Sequence, residues 1–241
     1  MKEVVVVIQV EDTTQITQEL LNKIYLTYKD NKIYKWQIIF AIYKNQQALN
    51  EIQEFRSKGY QELIHSYQVY TDHYGFVIKN IFLNLKSDIY ISIDIEHINS
   101  IETIFEVIKP ISIGMCEISL ASRSYQSSIF SQQTKNRMMN LFLMKFCKIF
   151  YSYKFLNLKY EIKAMSNHFV ESNFSNLLHY NSLFDLEIVL SADNKGMQIH
   201  ESSYNFDFKE SSLWQLNKIF YLIKKIAKLN SFYSINKISE I

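Results

Sequence analysis

Acidic and basic side chains stand at the ends of several apolar segments that the sequence predicts as buried strands. Asp12, Asp94 and Glu96 follow or end such segments, and Arg123 ends another. Carboxylates are the hard oxygen ligands that Mg²⁺ or Mn²⁺ prefers, and a guanidinium can hold a phosphate through two hydrogen bonds. Ligands of parallel sheets bind beyond the carboxyl ends of the strands, so these side chains could share one site for a phosphorylated ligand and a divalent cation.

The residue types and spacing leave alternatives for each group. Asp94 and Glu96 are two apart, so on a strand their side chains would point to the same face and could hold one metal ion together. An ordinary solvated acidic turn accounts for the same pair. For Arg123, the alternative is a surface arginine that pairs with Glu117 or with a backbone carbonyl.

Short apolar runs alternate with helical periodicity along the first half of the chain. Predicted strands lie at 4–10, 38–42, 89–96 and 118–122, and predicted helices lie at 16–28, 45–57, 72–86 and 101–110. Thr13 or Thr14 is expected to cap the first helix, and Pro110 is expected to end the last. This alternation predicts right-handed crossovers and a largely parallel sheet covered on both faces.

Composition indicates a folded domain and excludes several classes of protein. The 241 residues are 48% apolar and 15% aromatic, which excludes a disordered chain. Cys116 and Cys147 have no CxxC spacing, so neither a disulfide framework nor a structural zinc site is expected. The sequence contains no apolar run of transmembrane length and no cleavage signal after its first strand, so we expect a cytoplasmic protein.

Five short segments, at 73–79, 87–97, 121–123, 184–187 and 196–201, follow one another in a suggestive order. They read as a glycine-containing helix start, a strand ending in an acidic x-acidic pair, an A-S-R, an F-D-x-E and a G-x-x-I-x-E. In this order and spacing the chain resembles the family 2 glycosyltransferases over residues 4–212. The likeness is nearest to the polyprenyl-phosphate sugar transferases, of the dolichyl-phosphate glucosyltransferase and mannosyltransferase types.

This resemblance implies a fold and an activity. The fold would be a GT-A-like three-layer αβα domain with a largely parallel central sheet and a C-terminal amphipathic helix. A single domain, 1–241, would comprise a nucleotide-sugar-binding half at 1–125, an acceptor half at 126–210 and the basic amphipathic helix at 211–241. The implied activity is an inverting, metal-dependent transfer of sugar from a UDP- or GDP-linked donor to an acceptor such as a polyprenyl phosphate, with Mg²⁺ or Mn²⁺.

The resemblance also implies roles for individual residues. Donor binding is implied for Glu11, Asp12, Gly75, Lys79 and Asp94, and metal binding for Asp94 and Glu96. Acceptor-phosphate binding is implied for Ser122 and Arg123, and Asp185 and Glu187 would be the catalytic carboxylates. Either carboxylate could act as a general base or position the acceptor. Helix capping is the competing explanation for Asp12 and Asp185, and a solvated helix lysine is the competing explanation for Lys79.

Departures from the family pattern favour a second hypothesis. Residues 43–47 replace the acidic stretch that holds the nucleotide base, and only Lys163 is kept from a motif at 157–163. The alternative is therefore a catalytically impaired pseudo-glycosyltransferase that acts as a binding or scaffolding partner. A third reading is a transferase that acts on a protein or a polysaccharide.

Two basic amphipathic stretches raise the question of a membrane. No acid lies between Glu117 and Glu161, whereas lysines and arginines alternate with large apolar residues there and again after Glu210. Such helices suit the surface of an anionic membrane at the inner face. The alternative is a pair of core or dimer helices, which leaves homo-oligomerisation open. With a net charge of +2 and no recognised motif, nucleic acid is not expected as a partner.

Overall fold

The computed structural model describes residues 1–69, 73–98, 101–123, 145, 160, 162–178 and 184–204. The strands in these ranges are β1 Glu3–Val10, β2 Lys35–Tyr43, β3 Ile64–Val69, β4 Ile89–Asp94, β5 Ile118–Arg123, β6 Ile162–Ser166 and β7 Ile199–Tyr204. The α-helices are α1 Gln18–Lys29, α2 Gln46–Phe55, α3 Tyr74–Asn84, α4 Ile101–Ser112, α5 Asn167–Asn173 and α6 Phe184–Asn194. A π-type turn, Arg56–Tyr60, and 3₁₀ turns at Ile95–His97 and Phe174–Asn176 complete the set.

The strands form one mixed sheet in the order β3-β2-β1-β4-β6-β5-β7. β1, β2, β3 and β4 run parallel, β6 is antiparallel to both β4 and β5, and β7 is parallel to β5. Six of the strands therefore share one direction, and their carboxyl ends lie at one edge, which we call the carboxyl edge. The prediction of a largely parallel sheet is confirmed.

Alternation along the strands divides the core into two layers of side chains. Val4, Val6 and Ile8 of β1 pack with apolar residues of α1, α2 and α4, whereas Val5 and Val7 pack with α3, α5 and α6. Successive strand residues point to opposite faces, so each face of the sheet carries its own helices. This arrangement is the predicted three-layer αβα architecture. The predicted C-terminal amphipathic helix lies outside the described residues.

Two predicted helix ends are wrong. The residue that caps α1 is Thr17, whose side chain accepts a hydrogen bond from the Leu20 N–H at 3.2 Å. Neither Thr13 nor Thr14 has this role. The Thr14 hydroxyl is used in the preceding turn, where it accepts the Glu11 N–H. α4 continues through Pro110 to Ser112, since a proline near a helix end removes only one backbone donor.

The described ranges contain no helix that is both long and apolar enough to cross a membrane. The two basic stretches fall largely on residues 124–159 and 205–241, which lie outside the described residues except for 145.

Candidate ligand-binding site at the carboxyl edge

The strand order reverses between β1 and β4. After β1 the chain adds β2 and β3 on one side of it, and then returns to place β4 on the other side. In parallel sheets such a reversal leaves a crevice beyond the carboxyl ends of the two strands, and ligands bind there. The register pairs Gln9 with Asp94 at this point. The Gln9 amide donates a hydrogen bond to Asp94 Oδ1 at 3.4 Å, and Asp94 is partly exposed at the edge.

Asp94 and Glu96 do not lie on one strand. β4 ends at Asp94, and Glu96 follows in the 3₁₀ turn Ile95–His97. The expectation that both side chains share a face by strand alternation is therefore wrong, because the alternation stops where the turn begins. The metal role of this pair stays a prediction.

The turn after β1 is fixed by an asparagine at the start of α2. Asn45 Nδ2 donates to the Glu11 carbonyl at 2.9 Å and to the Thr14 carbonyl at 2.7 Å. Its Oδ1 accepts the Ala48 N–H, which caps α2. One buried side chain thus ties the β1–α1 turn to the β2–α2 turn and leaves Glu11 and Asp12 exposed at the carboxyl edge. Their donor-binding role stays a prediction.

A buried lysine lies beside the reversal point. β6 enters the sheet antiparallel to β4, so its first residues lie at the carboxyl edge, and Lys163 pairs in register with Ser92. The side chain is 2% exposed, and Lys163 Nζ lies 3.2 Å from Asp185 Oδ1 and 3.3 Å from Oδ2. It also donates to the Tyr160 carbonyl at 2.9 Å and lies 5.2 Å from the centre of the Tyr74 ring. This ammonium joins the sheet to α3 and α6.

Electrostatics keep this lysine charged. Burial by itself disfavours the ammonium, but the neighbouring Asp185 carboxylate, together with Tyr74 and Asp94, outweighs burial and raises the pKa of Lys163 above its ordinary value. Burial raises the pKa of the Tyr74 phenol to about 12, so its hydroxyl is neutral and shares a 2.8 Å hydrogen bond with Ser92. The result is a buried polar cluster, defined as Tyr74, Ser92, Lys163 and Asp185.

Asp185 and Glu187 both lie in the first turn of α6 but contact different parts of the protein. Residues two apart on a helix do not face each other. Asp185 contacts Lys163, whereas Glu187, fully buried, accepts the Leu178 N–H at 2.9 Å. Lys79 donates to the carbonyls of Ser175 and Leu177, each at 2.9 Å. Lys79 and Glu187 together hold residues 175–178, which follow α5. Their predicted donor and catalytic roles are untested by these contacts.

Gly75 is required by a close approach of two helices. A Cβ atom placed on it would lie 2.6 Å from Cγ and Cδ2 of the Phe184 ring. α3 and α6 can therefore approach closely only with glycine at this position. Its donor-binding role stays a prediction, and the structure adds a packing role.

Ser122 and Arg123 end β5 at the carboxyl edge, where their backbone pairs with Ser203 and Tyr204 of β7. Strand β6 separates β5 from β4, so Arg123 begins about 10 Å from the end of β4, which is two strand spacings. This distance is compatible with one ligand that spans both strand ends. The acceptor-phosphate role of Ser122 and Arg123 stays a prediction.

Sequence reasoning missed three side chains that build this edge: Gln9, Asn45 and Tyr74. It noted Lys163 only as a motif remnant. The sequence does contain a signal that Lys163 belongs to a polar site. A lysine flanked by Ile162, Ala164 and Met165 on a buried strand requires an anionic partner. Nothing in the sequence identifies Asp185 as that partner, because the two residues come together only in the fold.

No three His, Cys, Asp or Glu side chains come together as a metal-binding group within the described ranges. Mg²⁺ and Mn²⁺ do not need such a group when a nucleotide is bound, because one or two carboxylates and the phosphate oxygens supply the ligands. Asp94, partly exposed and oriented by Gln9, is a donor of that kind.

The fold of the described chain is a GT-A-like α/β fold. Its solved counterparts include glucosyl-3-phosphoglycerate synthase from Mycobacterium tuberculosis. In complex with Mn²⁺, UDP-glucose and phosphoglyceric acid, that enzyme is 11% identical over 95% of this chain and 80% of its own, with a TM-score of 0.64. In complex with Mn²⁺, UDP and glucosyl-3-phosphoglycerate it is 10% identical over 96% and 80%, with a TM-score of 0.59.

A more distant counterpart is a mannosyltransferase from Pyrobaculum calidifontis in complex with GDP-mannose and Mn²⁺. It is 8% identical over 84% of this chain and 55% of its own, with a TM-score of 0.51. No family model matches the sequence, and no curated protein matches it. At these identities the likeness establishes the fold.

Proposed function

We propose that this protein binds a nucleotide sugar and a divalent cation at the crevice between β1 and β4, and transfers the sugar to an acceptor. The observation that carries the proposal is the position of Asp94, which ends β4 at the reversal of strand order with Gln9 hydrogen-bonded to it. The GT-A-like fold supports it, because solved structures with this fold include complexes with UDP-glucose and Mn²⁺ and with GDP-mannose and Mn²⁺.

In this proposal Asp94 holds Mg²⁺ or Mn²⁺, with Glu96 as the second carboxylate. A cation bound there would neutralise the nucleotide diphosphate as it leaves the anomeric carbon. The amide of Gln9 keeps the Asp94 carboxylate at the edge of the sheet. Glu11 and Asp12, exposed on the turn that Asn45 fixes, lie where the ribose and base of the donor would bind.

The acceptor we propose is a polyprenyl phosphate. Asp185 is buried against Lys163, and Glu187 accepts the Leu178 N–H, so both carboxylates have internal partners, which favours an acceptor that needs no general base. A phosphate oxygen is already ionised and attacks without a general base. Asp185 then serves by holding Lys163, and Arg123 binds the acceptor phosphate. The basic stretches at 124–159 and 205–241 support a place at the inner face of an anionic membrane.

The second candidate is a binding or scaffolding protein without transferase activity. Two observations favour it. The turn after β2, where the family holds the nucleotide base, is used by Asn45 for internal hydrogen bonds. The carboxylates of α6 are likewise committed to internal contacts.

Calorimetric titration with UDP-glucose and GDP-mannose, with and without Mn²⁺, tests the donor site. We expect metal-dependent binding of one donor and at least a tenfold loss of affinity in Asp94→Asn, since this change removes the charge that binds the metal. The control is Asp30→Asn, which changes an exposed aspartate directly after α1 and should bind the donor as the native protein does.

Transfer is tested with vesicles that contain polyprenyl phosphate. Release of nucleoside diphosphate that depends on these vesicles supports the transferase. Metal-dependent binding without release favours the scaffolding candidate, and no binding of either donor contradicts the proposed donor site.

A further inference from the structure

Strand β4 places Asp94 on the same face of the sheet as the buried polar cluster. The apolar core of that face contains Tyr90, whereas the core of the opposite face contains Ile91 and Ile93. Successive residues of a strand point to opposite faces, so Ser92 and Asp94 share the face of Tyr90. Asp94 therefore stands two residues beyond Ser92 of the cluster, toward the carboxyl edge.

The ammonium of Lys163 is directed toward the same edge. Lys163 lies opposite Ser92, and β6 runs antiparallel to β4, so the residues that precede Lys163 lie level with the end of β4. Lys163 Nζ donates a hydrogen bond to the carbonyl of one of them, Tyr160, at 2.9 Å. The ammonium thus extends from the level of Ser92 toward that of Asp94.

This ammonium is held in place and has no access to a bound ligand. Its side chain is 2% exposed, and Nζ lies 3.2 Å from Asp185 Oδ1. Asp94 nevertheless interacts with it, since Asp94 is among the groups that, after Asp185 and Tyr74, raise the pKa of Lys163 against the effect of burial. Charges interact over several ångströms in a buried site, where the effective dielectric constant is lower than in water. Lys163 can therefore influence a ligand of Asp94 through its charge alone.

We propose that the Lys163 ammonium controls what binds at Asp94: it weakens the binding of a free divalent cation and strengthens the binding of the nucleoside diphosphate that accompanies the cation. This inference rests on the proposed donor site. A fixed positive charge beside Asp94 repels Mg²⁺ or Mn²⁺ and attracts a diphosphate. The site therefore takes up the cation together with the nucleotide in preference to the cation alone. Lys163 is in this sense a positioning residue and touches neither ligand.

Packing alone does not account for a buried ion pair at this place. An apolar pair of similar volume is often as stable as a buried ion pair, or more stable. The opposite face of the sheet packs against α1, α2 and α4 without a buried lysine, aspartate or glutamate among the described residues. The charged pair Lys163–Asp185 lies instead on the face to which Asp94 points, which favours a role for its charge in ligand binding.

Two binding constants of Lys163→Met test the proposal. Electron paramagnetic resonance of Mn²⁺ gives the affinity for the free cation, which should rise at least fivefold because the repelling charge is gone. Calorimetric titration with UDP at saturating Mn²⁺ gives the affinity for the diphosphate, which should fall at least fivefold. A variant that had only lost structure would bind both ligands more weakly, so opposite changes identify the effect of the charge.

Matched variants separate charge from packing. Tyr74→Phe removes the hydroxyl that bonds to Ser92 and leaves every charge in place, so both constants should stay within twofold of the native values. Lys163→Arg keeps the positive charge and should lie closer to the native protein than Lys163→Met does. Lys163→Met/Asp185→Leu leaves no unpaired buried charge and does not depend on the single variant folding. It should shift both constants in the directions expected for Lys163→Met, by a smaller factor.

The outcomes distinguish this inference from the proposed function. Weaker binding of both ligands in Lys163→Met and in the double variant overturns the inference and leaves the donor site standing, as does a Tyr74→Phe protein that changes as Lys163→Met does. The tighter Mn²⁺ binding must also disappear when Asp94→Asn is added to Lys163→Met, and its persistence would overturn the inference too. A native protein that binds no UDP at any Mn²⁺ concentration contradicts the donor site itself, and the inference falls with it.

Discussion

The two faces of the sheet are built differently. The face that packs on α1, α2 and α4 contains apolar core residues and, among the described residues, no buried lysine, aspartate or glutamate. The face that packs on α3, α5 and α6 contains three: Lys163, Asp185 and Glu187. Burial of charge costs free energy unless partners compensate it. The buried charges of the second face therefore need polar partners in addition to apolar packing. This face lies beside the crevice where we place the ligand.

An ion pair at the amino edge of the same sheet shows that the effect of a charged pair depends on its burial. Glu3 and Lys35 form an ion pair there at 2.6 Å, with side chains 47% and 68% exposed. Exposed pairs of this kind contribute little to stability. The Lys163–Asp185 pair, 2% and 8% exposed, can hold α6 against β6 because neither charge has water as an alternative partner.

The largest expected effect follows from breaking this buried pair. Lys163→Met leaves Asp185 with an uncompensated buried charge, and we expect a loss of about 3–5 kcal/mol in the free energy of unfolding. Urea denaturation followed by circular dichroism measures this loss. The double variant Lys163→Met/Asp185→Leu removes both charges and should regain most of the stability. A double variant as unstable as the single one would contradict the role of the pair.

The same pair predicts a pH dependence. The pKa of Lys163 is raised in the folded protein, so the stability it contributes is complete below the pKa of an unfolded lysine, about 10.4. That contribution is lost as the pH rises through the folded pKa. The stability difference between the native protein and the double variant should therefore be constant from about pH 7 to 9 and change only at higher pH.

A smaller effect is expected from Gly75→Ala. The added Cβ would meet the Phe184 ring at 2.6 Å, so α3 and α6 must move apart, at a cost of about 1–3 kcal/mol. Thermal unfolding measures the change. Asn80→Ala, one turn and a half further along α3 on a partly exposed position, is the control and should keep the native midpoint. An unchanged midpoint in Gly75→Ala would mean that the two helices do not approach as described.

The smallest effect is expected on the apolar face. Ile162 adjoins Lys163 on β6 but points to the opposite side of the sheet, where it is fully buried. Ile162→Val removes one methylene and should cost about 0.5–1.5 kcal/mol. It should leave nucleotide-sugar affinity unchanged, which calorimetry can check. A clear loss of nucleotide-sugar affinity in Ile162→Val would contradict the contrast between the two faces.

Strong local signals made most of the fold predictable. β1, β2, β4 and β5 are continuous apolar runs, and α1 to α4 have apolar residues at helical spacing, so their order alone predicted a parallel sheet between helices. β3 was missed because Ile64–Val69 has polar residues at its centre, as suits an edge strand. β6 was missed because Lys163, its second residue, interrupts the apolar residues of a strand only five residues long.

The site was predictable only in part. Asp94 was recognised from its place at the end of an apolar run. The predicted strand alternation between Asp94 and Glu96 is wrong, because β4 ends at Asp94, two residues before Glu96. The roles of Asp185 and Glu187 could not be separated in the sequence, where they are two residues apart. Their separation depends on α6, which turns one toward Lys163 and the other toward Leu178.

The central claim is that ligand and metal bind where β1 and β4 end. Paramagnetic broadening of backbone amide signals by Mn²⁺, in the presence of the donor that binds, tests it directly. We predict the strongest broadening at Gln9 and Asp94 and a decline toward Glu3 and Lys35, about 20 Å away at the amino edge. Broadening centred on the amino edge, or of equal strength at both edges, would contradict the account.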